Sequence, residues 1–207
     1  MAQAPLVVLA PVQLACVVLV SRELARVDAA QSGLFELGPT AAKSDTLRLL
    51  TQTSIALTLV AVVLFVVWLR RAVANLAPLG ARELPYGTWW AVLSWLVPGL
   101  NLWRPKEVVD EVWRASDPHL PRDEGTKWTK LPAPLIVAAW WALFVASWLT
   151  ELVALWLRSR AETLDDLARA DNLLLAAACG SLFALPLAFA VIEEITRRQE
   201  RRAAAVL

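Results

Sequence analysis

Histidine occurs once in this sequence, at His119, and cysteine twice, at Cys16 and Cys179. A single imidazole excludes a multi-histidine metal centre and a bis-histidine haem. Its place in the proline-rich stretch SDPHLPRDEG makes it a solvated loop residue. Both cysteines fall inside apolar runs, where a thiol behaves as a small hydrophobe, so neither a thiol catalyst nor a redox compartment follows from them. The chain also lacks a glycine-rich phosphate loop, a serine nucleophile elbow and an HExxH helix. Any enzymatic chemistry would rest on carboxylates alone; the expectation is therefore a protein that is not an enzyme and carries no cofactor and no metal. The formal net charge of +1 provides no field that would attract nucleic acid, and none is expected as a partner.

What the chain does have is apolar sequence. Apolar residues make up 58% of it, more than an ordinary soluble domain carries, and mean hydropathy is positive. They are gathered into uncharged runs of bilayer length, the signature of spanning helices. Five runs occur, Met1 to Ser21, Leu49 to Leu69, Leu84 to Trp103, Leu131 to Thr150 and Asn172 to Ile192, the fourth continuing past Glu151 to Leu157. The first is read as a span and not as a removable signal peptide, because Met1 to Pro5 has no Lys or Arg and Pro11 and Gln13 interrupt the apolar stretch.

The third run differs from the rest. LPYGTWWAVLSWLVPGLNLW contains Pro85, Gly87 and the breaker pair Pro98-Gly99. Its longest unbroken helical piece, Thr88 to Val97, reaches only about 15 Å, half the hydrocarbon thickness. Tyr86, Trp89, Trp90, Trp95 and Trp103 load it with rings that favour the headgroup boundary. Residues 84–103 are accordingly expected to be interfacial or re-entrant.

The expected fold is an all-α integral membrane protein, one domain over residues 1–207. It is a four-helix transmembrane bundle with spans near 3–21, 49–69, 134–157 and 172–192. Lys and Arg concentrate in Arg70 to Lys130 and in Arg197 to Arg202, which places both termini in the cytoplasm of a multi-pass cell-membrane protein. A five-span arrangement would translocate the Arg70-Arg71 pair and hold Pro98-Gly99 in mid-membrane. Arg22 to Arg48 becomes an outside loop. After Asn101, Pro105 suits the first turn of a helix over 105–115, whose Val108, Val109, Val112 and Trp113 form one stripe. That helix is expected to lie on the surface, with Asp110 and Arg114 paired at i, i+4.

FVVWLRRAVANLAPLGA followed by WAVLSWLVPGLNLWRPKEVVDEVWRASDP resembles the bacterial membrane-protein family catalogued as domain of unknown function 4328. The resemblance rests on Trp68, Arg71, Asn75, Gly80, Trp95, Pro98, Asn101, Leu102, Trp103, Pro105, Trp113, Ala115 and Ser116. It implies four spans around a cytoplasmic aromatic motif and supplies no catalytic or ligand residue.

Two places could carry function. Asn101, Trp103, Arg104, Asp110 and Trp113 surround the aromatic elbow, where backbone groups freed at Pro98-Gly99 need partners and where lipid headgroups or a protein could dock. Asn101 and Arg104 are expected to satisfy an open carbonyl or an acid such as Asp110. The other place is Glu151, an acid bounded by membrane sequence on both sides. Beside it, Ala139, Ala142, Ala146, Thr150 and Ala154 form a small-residue stripe expected to pack on Ala176, Gly180, Ala184 and Ala188 of the last span, where Pro186 should introduce a kink. The leading functional expectation is a non-enzymatic scaffold or regulatory subunit that binds a cytoplasmic or membrane protein, or a second copy of itself, from within the lipid bilayer. The alternative is a small transporter or channel using polar groups near Glu151, with Ser54, Thr58, Ser147, Thr150 and Ser181 as the mid-span inventory.

Overall fold

The computed structural model describes residues 41–120 and 126–204, so the expected first span at 3–21 lies outside the described residues. Among the described residues the fold is all-helical. Helix α1 covers Ala41–Ala74, α2 Trp90–Leu96, α3 Arg104–Ala115, α4 Leu135–Ser159 and α5 Leu164–Ala204, with short 3-10 turns at Leu100–Leu102 and Lys127–Lys130. Helices α4 and α5 are long and apolar enough to cross a membrane. Helix α1 starts at Ala41, before the apolar run begins, which corrects the expected loop up to Arg48. Ala, Lys, Leu and Arg are good helix formers, and they extend the helix beyond its apolar stretch.

The described residues divide into two compact units, one built from Val62–Trp141 with 186–204, the other from 41–61 with Ala142–Leu185. In the first unit, the turn that follows α1, residues 75–81, closes with the bond pattern of a Schellman motif. The Ala81 amide reaches back to the Leu76 carbonyl at 3.0 Å and the Gly80 amide to that of Ala77 at 2.9 Å. Gly80 supplies the left-handed residue this closure needs, at φ 89°. Buried Leu76 and Ala81 complete the hydrophobic contact of the motif.

The broken run behaves as its composition requires. Helix α2 has only seven residues, and the chain then turns at Gly99, whose φ is 84°. Pro105 sits in the first turn of α3, where its missing amide hydrogen costs nothing. Trp95 meets Phe65 and Trp141 edge-on, at ring separations of 5.6 and 5.7 Å, and Trp140 also packs on Phe65, so the broken segment is held by rings of α1 and α4.

Helix α3 keeps Arg104, Lys106, Glu107, Trp113 and Arg114 half-exposed, but its apolar stripe is covered by the protein itself. Val108, Val109, Val112 and Ala115 are fully buried, and so, nearly, are Asp110 and Glu111 on the expected polar side. The cover comes from the end of α5, which remains helical past the apolar run and turns Ile192, Ile195, Gln199 and Arg202 inward. Leu69, Ala72, Val73 and Leu76 of α1 and its following turn join the same core. Each fully buried Leu or Ile contributes about 1.5–3 kcal/mol, which outweighs leaving an amphipathic helix on the surface. The expected Asp110–Arg114 pair is not formed either. Lys106, one turn earlier, holds the Asp110 carboxylate at 2.6 Å, while the Arg114 Nε donates to the Asp110 backbone carbonyl at 3.2 Å.

In the second unit, Thr163 and Asp166 form a reciprocal cap at the start of α5. The Thr163 hydroxyl accepts from the Asp166 amide at 3.2 Å, and the Asp166 carboxylate accepts from the Thr163 amide at 3.3 Å. Buried Asp171 of α5 is paired with Arg158 of α4. The small-residue contact keeps Gly180 and Ala184 of the expected α5 stripe and Ala154 of the α4 stripe, but not the rest. Ala142, Ala146 and Ala176 are exposed, whereas Ser147, Ala154, Ala177 and Ala184 are buried. Successive steps of four residues drift about 40° around a helix with 3.6 residues per turn, so the stripe winds off the contact face. Gly180 sits directly on Ser147, whose Cβ would lie 3.5 Å from a Cβ at position 180. In the first unit, Ala139 is likewise exposed and Ala188 buried. Helix α5 is uninterrupted through Pro186.

Candidate functional site

The elbow is built where α2, the 3-10 turn at Leu100–Leu102 and α3 meet. Its frame is local. The Asn101 amide bonds the Val97 carbonyl at 3.1 Å and the Trp103 amide bonds that of Leu100 at 3.2 Å, so backbone groups close the break that side chains were expected to close. The Leu102 carbonyl accepts from the Trp141 indole at 2.7 Å. Asn101 itself is half-buried.

Arg104 finds an acid, but not Asp110. Its guanidinium pairs with Glu107 at 2.8 Å and also donates to the Tyr86 hydroxyl, which in turn donates to the same Glu107 oxygen at 2.8 Å. The ring of Tyr86 lies 5.5 Å below the guanidinium carbon. Partial burial, followed by the hydrogen bond to Glu107 and its charge, raises the Tyr86 hydroxyl above its ordinary range, which keeps it a donor. Glu107 is nearer than Asp110 because i, i+3 at a helix start points back across the first turn, whereas Asp110 is already committed to Lys106.

The remaining elbow residues take separate partners. Trp113 is half-buried with the Arg198 guanidinium 4.4 Å from its ring centre, and Arg198 also holds Glu194 at 2.9 Å and Asp117 at 3.7 Å. Trp103 points outward and keeps 48% of its surface exposed. The five residues singled out from sequence thus form one exposed ring on a frame of internal pairs, and not one converging pocket.

Three participants escaped the sequence reading. Glu111 is 2% exposed, and neither of its carboxylate oxygens receives a well-formed hydrogen bond. Burial pushes its carboxyl up to about 7, against only partial relief from the Tyr86 backbone amide and from Arg114. Gln199 donates to the Ala72 carbonyl at 2.9 Å and to the Ser116 hydroxyl at 3.1 Å while accepting from Asn75 at 3.1 Å. Arg202, 3% exposed, donates to the Ala115 carbonyl at the end of α3. The signal for the last two was helical spacing, since Gln199 and Arg202 continue the stripe of Ile192 and Ile195.

Glu151 is half-buried in α4, as is Thr150, while Ser147 is buried against Gly180. Ser181 is half-buried, and the side chains of Ser54 and Thr58 lie outside the described residues. Among the described residues no three His, Cys, Asp or Glu side chains are grouped as a metal site requires.

The motif residues have visible work in this frame. Gly80 closes the turn after α1, Trp95 joins the ring cluster, Leu102 and Ala115 offer carbonyls to Trp141 and Arg202, and Asn75 and Ser116 meet on Gln199. No curated protein and no solved structure gives a significant match to the chain. A family model described as "Domain of unknown function (DUF4328)" matches residues 38–197, and the chain belongs to that family.

Proposed function

We propose that this chain is a four-span membrane protein that works as a non-enzymatic scaffold or regulatory subunit, with the aromatic elbow as its contact surface for another protein. The observation that carries this reading is the division of roles at the elbow. Arg104, Tyr86 and Glu107 are spent on one another, while Trp103 is held outward on the braced turn. A large ring presented on a rigid frame is the commonest kind of interface anchor, because little side-chain freedom is lost when it is covered.

The four-span arrangement adds the apolar run 49–69 of α1 and residues 3–21 to the two long apolar helices. The excess of Lys and Arg in Arg70 to Lys130 and Arg197 to Arg202 supports a cytoplasmic location for the elbow and for both termini of a multi-pass cell-membrane protein. The partner is a cytoplasmic or membrane protein, or a second copy of this chain.

The test is purification of wild type and Trp103→Ala from native membranes, with thermal melts on the same preparations. Loss of a stoichiometric companion at an unchanged melting temperature is the expected result. Full retention of the companion would reduce Trp103 to a membrane anchor.

A further inference from the structure

A second feature of the first unit is independent of Trp103. Val67, Arg70, Arg71 and Ala74 recur at i, i+3, i+4 and i+7 and so share one face of α1. With Thr88 from the segment leading into α2, they line an open groove of about 300 Å³, at the lower end of the range for small-ligand sites. On the apolar side, Val63, Leu64 and Val67 are all exposed along the same face, forming a hydrocarbon track that stops at the two arginines.

The arginines are uncommitted. Arg104, Arg197 and Arg198 each hold a carboxylate, whereas Arg70 and Arg71 are exposed and have no acidic partner among the described residues. Arg70 is instead steadied by a ring, its guanidinium carbon lying 5.5 Å from the centre of Trp89, a residue that is itself 67% exposed. Two forked guanidiniums and a hydroxyl at the boundary of an apolar track match a phosphodiester with acyl chains attached, because guanidinium binds phosphate oxygens in pairs. Tryptophan beside the charge suits the same depth in a bilayer.

We infer that the Arg70–Arg71–Thr88 groove is a binding site for the headgroup of an anionic phospholipid, whose acyl chains run along Val63, Leu64 and Val67. A zwitterionic lipid fits less well, because its ammonium group would approach two positive side chains that pair with no acid among the described residues. The inference presupposes a membrane-embedded chain, but not a docking role for Trp103.

The experiment is a titration of the full chain in neutral detergent micelles with phosphatidylglycerol, phosphatidylcholine or inorganic phosphate, read by native mass spectrometry and by thermal melting. Phosphatidylglycerol should be retained and should raise the melting temperature, with at least tenfold weaker binding of phosphatidylcholine. Arg70→Gln combined with Arg71→Gln should weaken phosphatidylglycerol binding at least tenfold, while Trp103→Ala leaves it unchanged. Should the double variant fold poorly, Arg71→Gln and Thr88→Val are measured singly, each expected to weaken binding severalfold. Equal affinity for the two lipids, equal affinity for free phosphate, or unaltered binding by folded variants would overturn the site. A change of oligomeric state in place of a change in lipid retention would overturn it too, by assigning the groove to a protein contact.

Discussion

Asn75 and Gln199, 124 positions apart in the chain, are joined by a hydrogen bond of 3.1 Å from the Asn75 amide nitrogen to the Gln199 side-chain oxygen. The nitrogen of the same Gln199 amide reaches the Ala72 carbonyl and the Ser116 hydroxyl. One side chain therefore ties the end of α1, the end of α3 and the tail of α5 within a buried setting.

Replacing Gln199 by Ala should be costly for that reason. The Ser116 hydroxyl is buried and loses its partner, and leaving buried polar groups unsatisfied costs about 1–3 kcal/mol. A thermal melt in detergent should show a clear drop, larger than that of an exposed control such as Arg201→Ala. Equal effects for the two would mean that the α5 tail contributes nothing to the packed unit.

Gly180 and Ser147 should behave as a coupled pair. A Cβ at position 180 overlaps the Ser147 hydroxyl oxygen but stays 3.5 Å from the Ser147 Cβ, an ordinary contact. Gly180→Ala should therefore destabilise modestly, since the hydroxyl can rotate, and Gly180→Leu by about 1–3 kcal/mol or more through overpacking. Adding Ser147→Ala should recover most of the Gly180→Ala loss. A strictly additive double-mutant cycle would show that the two residues do not touch.

Glu111 sets a pH dependence. Its carboxyl titrates near 7 in the folded chain against an ordinary 4.5, so between these values the folded state holds a proton that the unfolded state has released. Stability is then unpenalised below about pH 4.5, falls as pH rises through that window, and carries the full penalty above 7. The penalty is on the order of 3 kcal/mol. Glu111→Gln stays neutral throughout and should melt higher than wild type at pH 8, with a flatter profile between pH 5 and 8. An unchanged slope in the variant would assign the pH dependence elsewhere.

Arg104 and Trp103 are adjacent yet should fail differently. Arg104→Ala removes the brace on Tyr86 and Glu107, a partly exposed cluster whose strength falls with salt, so the expected effect is a small drop in melting temperature that shrinks at high ionic strength. Trp103→Ala should leave the melt where it was, its ring being half exposed. A large stability loss from Trp103→Ala would place that ring in the core and remove the basis for a docking surface.

Much of the chain could be read from local sequence because its causes are local. An unbroken apolar run has no alternative to a helix in lipid, Pro98-Gly99 ends α2 through backbone geometry alone, and Pro105 starts α3 wherever that helix happens to pack. Selecting a partner among near-equivalent groups was a different problem. Spacing offered Arg104 both Glu107 and Asp110, and the choice depended on Lys106 already holding Asp110 and on Tyr86 arriving from the preceding segment. The face of α4 that meets Gly180 was misplaced for a similar reason, since several small residues wind around that helix and only the seating of α5 selects Ser147 over the expected alanines. The burial of α3 beneath the α5 tail, and with it the stranded carboxylate of Glu111, required contacts across most of the chain's length. Sequence by itself thus determined where the chain is apolar and where its helices must break, because those energies are set within a few residues. Tertiary structure alone decided which polar groups are paired, stranded or left facing outward, because that depends on which distant backbone reaches them first.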